Sequence, residues 1–165
     1  MINLNFICSY RLQRMYGSST ECIQCRKQEE GQTHVFIECD FSNIIYSLFC
    51  PLLKKILNID ISKEEKAFGL QITDFNQQKR ERLRNYIFCC IKHVIFRHRA
   101  KNVDIPFSDK SVIIYQKIKT FISIDLQGKF FFAKNNNRVQ RFKNIFLIDN
   151  ILGELNLDQS LQINI

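Results

Sequence analysis

The chain has no tryptophan, two prolines and five glycines in 165 residues. With so few breakers there is no low-complexity or linker-like stretch, and no glycine-rich loop able to cradle a phosphate. No run of eighteen apolar residues is present, which excludes a membrane-spanning helix by length. The N-terminus lacks the basic start, apolar stretch and small-residue cleavage site of a secretory leader. An intracellular protein is therefore expected, with cytoplasm and nucleus equally open. Catalytic constellations are scarce too: there is no G-x-S-x-G elbow, no H-E-x-x-H and no paired-aspartate polymerase motif of the form F/Y-x-D-D. The expectation is a protein that is not an enzyme and has no small-molecule substrate.

Cysteine, in contrast, is plentiful, at seven residues. Three fall with a histidine into Cys22-x2-Cys25-x8-His34-x4-Cys39, four metal-ligand types within eighteen residues. Two cysteines two apart can chelate one ion from a tight turn, and the returning His34 and Cys39 can complete a tetrahedral Cys3His shell of the kind zinc takes in structural sites. Four protein ligands leave no position for water, so the site suits folding rather than catalysis. One structural Zn2+ is the expected cofactor. An odd cysteine count argues for thiolate ligation over a disulfide framework. Cys8, Cys50, Cys89 and Cys90 lie among apolar neighbours and are expected to pack as small hydrophobes.

The fold class is expected to be mainly α: a small Cys3His zinc-binding finger followed by a bundle of about four to five helices. Residues 1–45 form the finger and its lead-in, with a possible short helix in 2–16 and a flexible approach at Gly17–Ser19. Arg26 to Thr33 is too hydrophilic to order without the metal. Residues 46–148 form the helical extension. Asp40 is a candidate N-cap for a helix whose stripe runs Phe41, Ile44, Ile45, Leu48, Phe49, Leu52, Leu53, Ile56 and Leu57, with a kink or break expected at Pro51. Ser62-x-x-Glu65 has capping-box spacing and opens a short helix ending at Gly69. The longest helix is expected over about 75–101, capped by Thr73 or Asp74, with a buried middle at 86–96. A connector through Pro106 leads to another helix over about 109–124, which Gly128 ends. Residues 129–148 hold five Lys or Arg and no acid, interleaved with Phe130, Phe131, Phe132, Phe142 and Phe146. Such aromatics can stack on bases or simply form core. The tail, 149–165, is expected to be partly frayed.

Net charge is +8. Residues 78–101 hold eight Lys or Arg against one Glu, so +7 of that excess sits on one segment. Lys79, Arg80, Arg82 and Arg84 crowd the start of the long helix, where the dipole disfavours cations unless an anion binds. Arg97, Arg99 and Lys101 crowd its end. These seven are the candidate contacts to nucleic-acid phosphates, RNA or DNA. His93 and His98 stand about 140° apart on a helical wheel and cannot share one metal.

The ligand spacing, together with Thr33-His34-Val35-Phe36-Ile37-Glu38-Cys39-Asp40-Phe41, resembles the zinc-binding domain at the C-terminal end of non-LTR (LINE-like) retrotransposon reverse transcriptases. Tyr46 stands where that family usually has tryptophan. The resemblance extends from about residue 10 to 146, through Phe68-Gly69-Leu70, Asn85-Tyr86 and Arg97 to Asn102. It implies zinc at Cys22, Cys25, His34 and Cys39, contact with template RNA or target DNA, and the polymerase portion of a retroelement as partner. The chain then looks like a detached or decayed piece. Some related elements carry a restriction-like endonuclease beyond the finger. Its carboxylates have only an incomplete echo in Asp109, Asp125 and Lys129, which lack the acid-x-Lys step such a site needs.

Two functional classes follow. One is a zinc-stabilised nucleic-acid-binding module without a catalytic site. The other is a zinc-stabilised structural or protein-interaction module whose basic residues serve solvation. The first predicts that the cations of 79–101 form one continuous surface with the finger; the second predicts that they scatter.

Overall fold

In the computed structural model, residues 20–27, 29–71, 77–99 and 105–165 are described below. Six helices follow one another: α1 (His34–Glu38, one π-helical turn), α2 (Asp40–Ile56), α3 (Lys63–Phe68), α4 (Gln78–His98), α5 (Phe107–Asn135) and α6 (Val139–Phe146). A short antiparallel hairpin of β1 (Gly153–Leu155) and β2 (Leu161–Ile163) ends the chain. The fold is mainly α, as the apolar periodicity predicts.

Three of the helices build the core through the same device. Phe41, Ile45, Phe49 and Leu53 on α2, Leu83, Ile87, Ile91 and Ile95 on α4, and Ile114, Ile118, Ile122 and Leu126 on α5 are all buried. Each set steps by four residues, forming the ridge that packs into the groove of a facing helix. α4 lies against both α2 and α5, α2 also touches α5, and α6 closes over α4 and α5. Aromatic contacts knit the layers: Phe41 meets Phe107 edge-on at 5.3 Å, and Tyr46 packs on Phe88 at 5.5 Å. Tyr46 thus makes the amphipathic aromatic contact between α2 and α4, its hydroxyl buried.

Several elements differ from expectation. α2 runs through Pro51 without a break, and Pro51 is on the exposed face, where loss of one N–H in the ladder is tolerated by water. Ile44 and Leu48 on that stripe are exposed. Asp40 is the first residue of α2 rather than its cap, and its carboxylate pairs with Lys27 at 2.7 Å. α5 continues seven residues beyond Gly128, because the buried step-of-four series carries on through Leu126 and Phe130 and outweighs the ~1 kcal/mol helix penalty of one glycine. The tail is a hairpin whose Leu152 is buried and whose β2 rests on α5, not a frayed end. Cys90 is buried as expected, but Cys89 is exposed. Cys8, the lead-in at 2–16, and the proposed caps Thr73 and Asp74 lie outside the described residues.

The capping box is half made. The Ser62 hydroxyl accepts from the Glu65 N–H at 3.0 Å, while the Glu65 side chain turns inward to another partner. Gly69 ends α3 at φ +81°, and a Cβ there would stand 2.8 Å from Asn85 Oδ1. That same Asn85 amide receives the Leu70 N–H at 2.7 Å and donates to the Leu70 carbonyl at 2.9 Å, fixing the exit from α3 onto α4.

Candidate metal centre and the basic surface

The site begins with the loop carrying Cys22 and Cys25. The Arg26 N–H reaches back to the Cys22 carbonyl at 2.8 Å, and Arg26 itself takes φ +56°, so the chain turns tightly enough to present both sulfurs to one point. The other two ligands bracket α1: His34 is its first residue and Cys39 follows its last. In an ordinary α-helix residues five apart stand about 140° around the axis from each other. The π-turn hydrogen bond from Cys39 N–H to the His34 carbonyl, 2.7 Å, widens the turn and brings His34 and Cys39 to the same side. Ser42 then donates to the Val35 carbonyl at 2.5 Å and Asn43 to that of Glu38 at 3.3 Å, satisfying carbonyls that the irregular turn leaves open.

The ligand atoms of Cys22, Cys25, His34 and Cys39 all lie within 4.8 Å of one another. A tetrahedron with metal–sulfur bonds of about 2.3 Å has sulfur–sulfur edges of about 3.8 Å. Cys22 Sγ and Cys39 Sγ are 3.9 Å apart, and Cys25 Sγ and His34 Nε2 are 3.2 Å apart. The four residues sequence reasoning singles out are thus assembled into one cluster that can hold a metal ion, with Cys22, His34 and Cys39 buried.

The surroundings suit a thiolate-rich site. The Cys39 thiol beside it, and then the backbone N–H groups of Cys25 and Gln24, hold the Cys22 thiol down at about 5 against the opposing effect of burial. Cys39 is pushed up by the Cys22 thiol and by burial, and metal binding would take the proton that the pair holds. Glu38 Oε2 stands 4.0 Å from His34 Nδ1, on the far side of the ring from Cys25, where a carboxylate orients a ligating imidazole. The Lys110 ammonium reaches in from α5 over the Phe41 ring at 5.6 Å; burial lowers its pKa while the thiols of Cys22 and Cys39 draw it up.

Two further residues fasten the cluster to the bundle, and neither carried a motif. Glu30 is buried, accepting from the Ile23 N–H at 3.2 Å and facing Arg99 Nε at 3.4 Å. Gln24 donates to the Arg99 carbonyl. The loop from Arg26 to Thr33, expected to be too hydrophilic to pack, is thus docked near the end of α4 by its own Glu30, and Gln24 just before it adds a second tie.

The seven candidate phosphate contacts do not come together. Arg84 is 0% exposed and is corrected here from a surface cation to a core residue. Its guanidinium is consumed by Glu65 and by the carbonyls of Leu53, Leu57, Ile59 and Asp60. Arg80 bonds the Ile56 carbonyl at 3.4 Å and pairs with Asp149. The cation crowding that seemed to need an outside anion at the start of α4 is answered largely from within, by two carboxylates and the open carbonyl end of α2. Arg99 serves Glu30, and Lys101 lies outside the described residues. Lys79, Arg82 and Arg97 remain exposed, but Arg82 and Arg97 are fifteen residues apart on one helix, about 22 Å.

The carboxylates of the endonuclease reading are also separated. Asp109 and Asp125 are sixteen residues apart on α5, about 24 Å, and Asp125 is engaged by Tyr86, whose hydroxyl donates at 2.6 Å, and by Lys129. No helix among the described residues is long and apolar enough to cross a membrane. No family model, curated protein or solved structure matches the chain, so the cluster geometry stands on its own as the functional signal.

Proposed function

We propose that the protein is a zinc-stabilised, non-catalytic interaction module in which one structural Zn2+ locks residues 20–39 onto the helical bundle and the bundle presents its surface to a protein partner. The identity of the ion follows from the donor set: three sulfurs and one imidazole in a closed tetrahedral arrangement favour Zn2+ over hard cations. The observation that carries the choice of partner class is the disposition of the α4 cations, which are spent on internal pairs or spread along the helix. The resemblance at the finger would make the polymerase portion of a non-LTR retroelement the natural partner.

Nucleic-acid binding is the second reading, favoured by the net +7 of residues 78–101 and by the exposed cations Lys79, Arg80, Arg82 and Arg97 among its described residues. Fluorescence titration of a labelled single strand and a duplex at three salt concentrations separates the two. The interaction module predicts weak binding near physiological salt, unchanged in a Lys79→Gln/Arg82→Gln/Arg97→Gln variant. The second reading predicts a steep log–log salt dependence that shallows by roughly three phosphate equivalents in that variant. Arg84 is unsuitable for such a test because its loss would strike the core.

A further inference from the structure

An open apolar feature lies away from the metal, between the C-terminal half of α5 and α6. A furrow of about 690 Å3 runs there, with Ile124, Gly128 and Phe132 along one wall and Phe142, Ile145 and Phe146 along the other. Ile124 is 64% exposed and Phe132 61% exposed, and Phe131 beside it is 66% exposed. Large apolar side chains clustered this way on a surface mark an interaction site. Positions 124, 128 and 132 step by four along α5, and nothing lies within 4 Å of a Cβ placed on Gly128. The wall is therefore a ridge with a gap at its centre, a shape into which side chains of another helix can interdigitate.

The charge around the furrow is mostly positive. Arg138 and Arg141 line it, and residues 129–148 contain no acid. Its single lining carboxylate, Asp125, is held by Lys129 and the Tyr86 hydroxyl. The rings in the second wall are already used: Phe142 packs against Phe130 at 5.4 Å and Phe146 at 5.2 Å, and Phe146 meets Tyr86 edge-on at 5.2 Å. Base stacking on a single strand needs aromatic faces open to solvent; in this wall they are covered, and the open rings are Phe131 and Phe132 on α5.

We propose that this furrow is a docking site for an acidic amphipathic helix of a partner protein, with aliphatic or aromatic residues at i, i+3 or i+4, and i+7 entering the gap over Gly128 and Asp or Glu flanking them to meet Arg138 and Arg141. The proposal rests on the interaction-module reading for the class of partner and assigns that partner's contact surface; the metal centre takes no part.

The test is anisotropy of labelled helix-forming peptides with the zinc-loaded full chain: one amphipathic and Glu-rich, one with each Glu replaced by Lys, one with its apolar residues replaced by Ser, and an oligothymidine. Binding of the acidic amphipathic peptide alone is expected, weakened at least tenfold by Ile124→Ala/Phe132→Ala, both exposed positions. Arg138→Glu/Arg141→Glu should turn the preference toward the Lys peptide. Equal binding of all peptides, or binding unmoved by either double variant, overturns the proposal. Concentration-dependent dimerisation abolished by Phe132→Ala assigns the furrow to a second copy and also overturns it. If neither peptide nor oligothymidine binds, the furrow assignment fails while the module reading stands. Tight oligothymidine binding lost on substitution of Lys79, Arg82 and Arg97 defeats the module reading itself.

Discussion

The guanidinium of Arg84 meets the carboxylate of Glu65 edge to edge, Nε to Oε1 at 2.5 Å and Nη2 to Oε2 at 2.8 Å, and neither side chain is more than 1% exposed. The remaining donors reach the carbonyls of Leu53 and Leu57 at 3.2 and 2.8 Å, closing the C-terminal end of α2. One side chain of α4 thereby ties α2, the following loop and α3 together. Arginine suits this because its planar fork can serve a carboxylate and carbonyls at once, which a lysine ammonium cannot.

Arg84→Ala should destabilise the protein by about 3–5 kcal/mol, since it strands a buried carboxylate and uncaps a helix. Arg84→Lys should recover only part of this. Glu65→Gln/Arg84→Met, which removes both charges, should be milder than Arg84→Ala alone. Thermal or urea denaturation of the three variants checks the order, and a stability loss below about 1 kcal/mol for Arg84→Ala would show that the pair contributes no more than a surface ion pair.

Metal should follow the four clustered residues. Purified protein should carry one zinc per chain, and Cys22→Ser should lose it, whereas Cys89→Ser, at an exposed cysteine, should not. Stripping the zinc with a chelator should raise hydrogen exchange over residues 20–45, because the metal offsets the chain entropy of that loop. The α4 and α5 ridges should stay protected. Metal analysis with exchange mass spectrometry decides this; metal-free protein with an equally protected finger contradicts it.

The places where sequence reasoning succeeded and failed have physical reasons. The ligand set was legible because metal chemistry restricts residue type and spacing together. The buried stripe of α2 was legible because burial imposes a period, and the middle of α4 because it is a long apolar run. Arg84 was not, because an arginine buried against carbonyls has the same sequence appearance as one facing solvent. Gly128 reads as a stop from local propensity alone, and the packing of Leu126 and Phe130 overrides it. The hairpin of 153–163 was missed because its strands are three residues long, too short for alternation to register.

That hairpin depends on one close approach. A Cβ on Gly153 would lie 2.3 Å from the Gln162 carbonyl oxygen and 3.1 Å from Ile163 Cα. Both obstacles are backbone, so Gly153→Ala must push the strands apart and should lower stability by about 1–3 kcal/mol, the range for overpacking. Gly31→Ala, where nothing lies within 4 Å, is the matched control. Equal melting temperatures for the two variants would remove the hairpin from the set of stabilising elements.

The last expectation concerns charge at the metal centre. Three thiolates and one Zn2+ leave a net −1, and in a buried setting such a charge needs a counterion. Lys110 is only 3% exposed, lies over Phe41, and is drawn electrostatically by the thiols of Cys22 and Cys39. Its ammonium therefore stands where it feels the charge of the cluster. Lys110→Met keeps the stem's packing and removes the charge, so the folded protein should persist while zinc affinity falls by about 10–100-fold, the range for losing an outer partner of a metal site. Lys110→Arg should retain most of the affinity. Competition against a chromophoric chelator measures both, and the same variants should keep the denaturation behaviour of the Arg84–Glu65 half of the molecule. An affinity identical to wild type in Lys110→Met would mean that solvent, not Lys110, balances the charge of the centre.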